Sequence, residues 1–357
     1  VELKEKPNNE LVDIEIEVEE SATGSFNFGV AFDSYRGATF ISSLQEKNIM
    51  GDGRNLNFSV NTSENNKQLE LGILEPYIFN EDIDLIYDIS FQQKDFTKSS
   101  SYKLDEFNTG LGFQYSLTND IKHSLKIEYI LKDYSITNSS NVSSNIEKQS
   151  GTNADVLLIN GLVYDDLDSI IRPSEGDYLR FDNILSPATN DDNGYFKNIL
   201  THKKYIRNNL NVFSIQNRIG NIYSLQNKEI PSDDKFSLGG RWLRGFDSYG
   251  AGPRESRTAY IGGNNLIVTK LDYHRPILDN SDNPVDLNLF IDAGSVFDNK
   301  NKPTHSDNSI RASYGYGFKF YSPIGPVGFS WAFPISDESY DIKRMFSFTI
   351  GNLNWSY

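Results

Sequence analysis

Residues 311–320 read Arg311-Ala312-Ser313-Tyr314-Gly315-Tyr316-Gly317-Phe318-Lys319-Phe320. Ala312, Tyr314, Tyr316, Phe318 and Phe320 share one parity, while Arg311, Ser313, Gly315, Gly317 and Lys319 take the other. Successive side chains of a strand point to opposite faces, so this stretch is a strand with one greasy and one small or charged face. Working outward, the same alternation recurs. Phe26, Phe28, Val30 and Phe32 are interleaved with Asn27, Gly29 and Ala31, and Leu56, Phe58 and Val60 with Asn55, Asn57, Ser59 and Asn61. Leu111, Phe113, Tyr115 and Leu117 alternate with Gly112, Gln114 and Ser116. Leu287, Leu289 and Ile291 alternate with Asp286, Asn288 and Asp292, and Val327, Phe329, Trp331 and Phe333 repeat the pattern. No segment carries a sustained 3.6-residue stripe, so the chain is all-β.

Sixteen strands are predicted, near 23–33, 38–46, 53–62, 67–76, 83–94, 106–117, 121–134, 152–164, 177–187, 194–206, 210–225, 263–274, 285–297, 309–321, 326–334 and 344–352. Compact turns at 50–53, 118–120 and 322–325 alternate with longer polar loops at 95–105, 135–151, 226–262 and 298–308. An even count of long alternating strands, with short turns on one rim and long loops on the other, predicts a 16-stranded antiparallel transmembrane β-barrel. Lipid would meet the apolar face and water the face rich in Gly, Ser, Asn and charge. Sandwich strands are shorter and share one core. Tyr77, Phe79, Tyr134, Tyr164, Tyr321, Trp331 and Phe333, near strand ends, are expected in interfacial girdles.

The 357 residues are only 38% hydrophobic, and no apolar run is long enough for a membrane helix. Forty-nine acids against 34 Lys and Arg leave a net charge of −15, which argues against a nucleic-acid partner. Without cysteine there is no disulfide, thiolate metal site or cysteine nucleophile. P-loop, H-E-x-x-H and G-x-S-x-G signatures are missing from the sequence, and His123, His202, His274 and His305 are scattered. Asp337, Glu338 and Asp341 lack the spacing of a calcium loop and are expected in a solvated loop. No enzyme activity, cofactor or metal site is expected. In residues 1–20, Val12, Ile14, Ile16 and Val18 face away from Asp13, Glu15, Glu17 and Glu19. Lipid would not accept that acidic face, so residues 1–20 are expected to end a soluble domain lying upstream, and residues 21–357 to form the barrel.

The segment 226–262 is too long for a hairpin, and long loops of this kind are usually functional. Glycines and bulky apolar groups surround one arginine in Phe236-Ser237-Leu238-Gly239-Gly240-Arg241-Trp242-Leu243-Arg244-Gly245-Phe246. The tetrad Leu243-Arg244-Gly245-Phe246 resembles the loop motif of the superfamily of outer-membrane insertases and two-partner secretion transporters. Further stretches resemble its BamA branch, the central subunit of the barrel assembly machinery. They are Glu19–Phe26, like the join between the last POTRA domain and the first strand, Glu75-Pro76-Tyr77, Arg172–Arg180, Ser322–Pro326 and Phe346–Gly351. One departure is the tail Asn352-Leu353-Asn354-Trp355-Ser356-Tyr357, because the family usually stops at an aromatic two or three residues after the final Gly.

The resemblance implies that Arg244 reaches into the lumen and pairs with Asp272 and Asp292, and parity places Asp292 there independently. It also implies a function. The chain would be an outer-membrane assembly factor of a Gram-negative bacterium, with a periplasmic N-terminal segment. Its partners would be unfolded outer-membrane β-barrel proteins, accessory assembly lipoproteins and outer-membrane lipid. Insertion would proceed through a weak lateral seam between the first strand (Gly24, Phe26, Phe28, Gly29) and the last (Phe346, Phe348, Ile350, Gly351). Gly24, Gly29 and Gly351 are expected to weaken that pairing. The alternatives are a two-partner-secretion-type or TamA-like polypeptide translocation barrel, and a passive porin-like pore.

Overall fold

The computed structural model describes residues 2–5, 12–15, 22–76, 78, 82–170, 172–187, 194–278, 284–298, 308–322 and 325–350. Sixteen strands form a closed barrel. They are β1 (Gly24–Asp33), β2 (Gly37–Ile49), β3 (Arg54–Thr62), β4 (Asn66–Glu75), β5 (Ile83–Asp95), β6 (Tyr102–Ser116), β7 (Ile121–Ile136) and β8 (Gly151–Asp165). The second half comprises β9 (Gly176–Ser186), β10 (Tyr195–Asn208), β11 (Asn211–Ser224), β12 (Asn265–Leu278), β13 (Val285–Phe297), β14 (Arg311–Ser322), β15 (Gly325–Ser336) and β16 (Phe346–Ile350). Each pairs antiparallel with the next, and β16 pairs with β1. Ahead of the barrel, Glu2–Glu5 pairs antiparallel with Val12–Glu15. Residues 16–20, Tyr77, Phe79, His305 and Gly351–Tyr357 lie outside the described residues.

The outer face carries what water would not tolerate as one continuous surface: Phe26, Phe28, Val30, Leu125, Ile127, Leu158, Ile219, Ile267, Leu271 and Tyr314 are all exposed. Closure satisfies the backbone within the sheet and leaves the greasy face for lipid. An aromatic row on this face runs from Tyr316 to Trp331 (5.4 Å), Phe346 (5.1 Å) and Phe348 (6.2 Å), and then across the seam to Phe32 (5.1 Å).

Five asparagines depart from the predicted lumen placement. Asn160, Asn183, Asn198, Asn221 and Asn265 stand in direct register on β8 to β12, on the parity of exposed Leu158, Phe181, Ile219 and Ile267. A carboxamide facing lipid is costly unless partnered. Here Asn160 donates to Asn183 (3.0 Å), Asn183 to Asn198 (2.6 Å) and Asn221 to Asn265 (2.8 Å).

The rims and lumen correct five further expectations. Among the connections on the long-loop rim, 34–36 and 63–65 are short. The 135–151 loop contains a helical turn, Ser144–Lys148, capped by Ser143 and anchored by buried Ile146. Tyr134 and Tyr321 are not girdle residues: Tyr134 points inward and donates to Asp233 at 2.7 Å, and the Tyr321 ring lies 5.0 Å from the Arg172 guanidinium. Asp341 is not solvated but buried against Arg311 at 3.0 Å. The lumen itself is only partly wet. Ion pairs such as Lys126–Asp88 (2.8 Å) and Lys94–Glu106 (2.6 Å) line the β4 to β7 side. Against β7 to β13, by contrast, the loop between β11 and β12 packs a dry core.

Candidate functional site

The core under that loop joins wall residues Ile130, Leu157, Ile222, Leu266, Val268 and Val296 to loop residues Ile230, Phe236, Leu238, Leu243, Phe246 and Ala251. The glycines in the middle of the loop permit its tight path. Gly239 has φ +121°, and a Cβ there would lie 2.0 Å from the Asp247 carbonyl oxygen. Gly245 has φ +93° and sits against Ser313 and Ala332. Leu243 and Phe246, on either side of Arg244-Gly245, are fully buried.

This packing aims Arg244 at the wall. Its Nε and Nη2 donate to the two oxygens of Asp292 at 2.7 and 2.5 Å, its backbone N–H also reaches Asp292 (3.0 Å), and Nη1 donates to Asp272 at 2.7 Å. Asp292 is 0% exposed, so the forked guanidinium compensates a carboxylate removed from water. Asn288 donates to Asp272 at 3.1 Å, and the Ser313 hydroxyl donates to the Arg244 carbonyl at 2.5 Å. Burial alone would lower the Arg244 pKa. The charges of Asp292 and Asp272, with their hydrogen bonds, outweigh burial and raise it, so this arginine is always a cation.

Phe290 completes the site and was missed in the sequence. Its ring lies 3.6 Å from the Arg244 guanidinium carbon, a cation–π contact on the face that the carboxylates leave open. Its signal was its place between Asn288 and Asp292 on the lumen parity. A second anchor was also missed. Lys132 of β7 meets Asp233 at 2.7 Å and Asp234 at 2.8 Å, and Lys197 of β10 donates to the Asp234 carbonyl at 2.7 Å. Burial opposes ionisation of Asp233, but the Lys132 charge and its hydrogen bond hold that carboxyl below the usual carboxylate range. Asp234 is pushed up, chiefly by burial.

The predicted seam residues are distributed unevenly. Thr349↔Asp33 and Ile350↔Phe32 are the register pairs joining β16 to β1 among the described residues, against fifteen between β6 and β7. The Ser34 N–H adds a bond to the Phe348 carbonyl at 3.0 Å, and the Phe348 N–H donates to the Ser34 hydroxyl at 2.8 Å. Phe32 and Phe348 stack outside this short contact. Phe26 and Phe28 are 69% and 68% exposed. Gly24 and Gly29 lie on the same stretch of β1, away from the described part of β16, and Phe346 is the first residue of β16, at its long-loop end.

Comparison with known proteins places this architecture. Outer membrane protein assembly factor BamA of Neisseria meningitidis serogroup B is 24% identical over 396 residues, covering 95% of this chain and 48% of that protein. The chain thus spans about half the length of this and two further BamA relatives that it matches. The crystal structure of BamA from Haemophilus ducreyi lacking POTRA domains 1-3 superposes with TM-score 0.83 at 24% identity, over 93% of this chain and 70% of that one. CdiB from Escherichia coli superposes with TM-score 0.62 at 12% identity, over 98% and 67%. Residues 48–353 match the family described as the Omp85 superfamily domain, and with a closed 16-stranded barrel whose loop lies in its lumen, the chain belongs to the Omp85 superfamily.

Proposed function

We propose that this chain is the membrane domain of an outer-membrane protein assembly factor, which folds unfolded β-barrel proteins and inserts them into lipid through the β1–β16 seam. The observation that carries the reading is the match in sequence, along 95% of the chain, to a protein named as an outer membrane protein assembly factor, together with a seam where Thr349↔Asp33 and Ile350↔Phe32 are the register pairs among the described residues. A barrel removes sheet edges only by closing, so its weakest joint is where an edge becomes available to an incoming strand. The names of the BamA relatives support the assembly reading. A translocation channel or a passive pore would need the packed luminal loop out of the way. Arg244, Asp272 and Asp292 are assigned the role of fixing that loop, with Leu243, Gly245 and Phe246 fitting it to the wall.

In this reading the protein sits in the outer membrane of a Gram-negative bacterium, residues 1–20 end a periplasmic POTRA domain, and accessory lipoproteins act with it. The reading involves no covalent chemistry. The test is reconstitution of the full-length protein in phospholipid vesicles, followed by addition of a urea-unfolded outer-membrane barrel. Folding is read from heat-modifiable electrophoretic mobility. Severalfold acceleration over empty vesicles is expected; an unchanged rate would overturn the reading.

A further inference from the structure

The luminal loop does more than fill space, because beyond Arg244 it turns and grips the segment leading into β16. Gly245 and Phe246 pair antiparallel with Arg344 and Lys343, a two-stranded sheet inside the barrel. The contact continues as the Asp247 N–H donates to the Ile342 carbonyl (2.9 Å) and the Ile342 N–H to the Gly250 carbonyl (2.8 Å). Asp247 then accepts a fork from Arg344, Nε to Oδ1 at 3.0 Å and Nη2 to Oδ2 at 3.1 Å. The Arg344 guanidinium carbon also lies 5.7 Å from the ring centre of Tyr35, in the turn between β1 and β2, across the seam. Arg344 therefore touches the loop on one side and the first hairpin on the other, at the end of the seam where the described pairs lie.

We propose that Asp247 and Arg344 form a latch by which the luminal loop positions the long-loop end of the seam. The loop is held on β12 and β13 through Arg244, so a path of direct contacts runs from that part of the wall to the last strand. At this end of the seam, where the described residues give the pairs Thr349↔Asp33 and Ile350↔Phe32, the latch adds to what keeps β16 against β1. The inference concerns seam closure and does not depend on the assembly reading.

The test is amide hydrogen exchange on the full chain in lipid nanodiscs, following peptides that contain 32–36 and 346–350 and, as a reference, peptides of β6 to β8. Asp247→Ala is expected to speed exchange of both seam peptides by about fivefold, the factor a partly exposed ion pair supports, with the reference unchanged. Asp247→Arg combined with Arg344→Asp is expected to restore the seam to within about twofold of the wild type. If Asp247→Ala fails to fold, Asp247→Asn, which keeps the shape and one acceptor, is read the same way. Unchanged seam exchange in a folded variant, seam and reference peptides loosening together, or failure of the charge swap to restore the seam would each overturn the latch.

Discussion

Arg244 satisfies two carboxylates at once, and its removal takes away the cation hydrogen-bonded to both, in a site where Asp292 has no access to water. Arg244→Ala is expected to cost about 3–5 kcal/mol of loop docking, the usual consequence of stranding a buried charge. The measurement is limited proteolysis of the 226–262 loop together with complementation of a depleted strain: faster cleavage and poor growth are expected. Arg244→Lys should rescue only in part, since an ammonium cannot hold both oxygens of Asp292 while reaching Asp272. Gly239→Ala tests the backbone rather than the charge. With φ at +121° and the Asp247 carbonyl oxygen in the way, it is expected to destabilise the folded loop by about 2 kcal/mol or more, read as a lower unfolding midpoint in urea. Asp292 was legible because its strand neighbours Leu287, Leu289 and Ile291 take the lipid side. Phe290 was overlooked because an aromatic residue in a membrane strand invites a lipid-facing assignment, although its parity says otherwise.

The loop between β11 and β12 behaves as an element with two separate anchors on the barrel wall, Lys132 of β7 with Asp233 and Asp234, and Arg244 with Asp272 of β12 and Asp292 of β13. Lys132→Met leaves two adjacent buried carboxylates without their shared cation and is expected to loosen the first anchor. Adding Asp233→Asn and Asp234→Asn should recover most of the loss, because neutral amides bear burial better than unpaired charges. Cleavage rates within 226–237 would check both, and equal rates in the single and triple variants would exclude this account. That 226–262 folds on itself was readable from its glycines and bulky apolar residues. Its partners were not, because Lys132 lies 101 residues from Asp233 and no local pattern joins them.

For the whole molecule, the seam is the joint whose opening the proposed function requires. Phe32→Cys with Ile350→Cys places two thiols at a register pair, and oxidation is expected to stop growth of cells depending on the variant, with reductant restoring it. Growth unaffected by a fully formed bond would count against lateral opening. The lipid-facing asparagine row offers a second test: Asn183→Leu removes the partner of both Asn160 and Asn198 and is expected to destabilise the barrel by about 1 kcal/mol in lipid, measured by urea unfolding.

Strand identity, strand number, closure and the lipid-facing side follow from parity, which is local: neighbouring side chains must point to opposite faces, so ten consecutive residues carry the signal. What the folded molecule alone decides is which charges meet, how much of the lumen is dry and which residues pair where the ring closes. Arg344 and Asp247 are 97 residues apart, and Asn183 lies among apolar lipid-facing neighbours only because Asn160 and Asn198 arrive beside it. Such pairings depend on register between strands and on the path of one loop through the interior, and the free energy that sets them is shared among residues no short window of sequence contains.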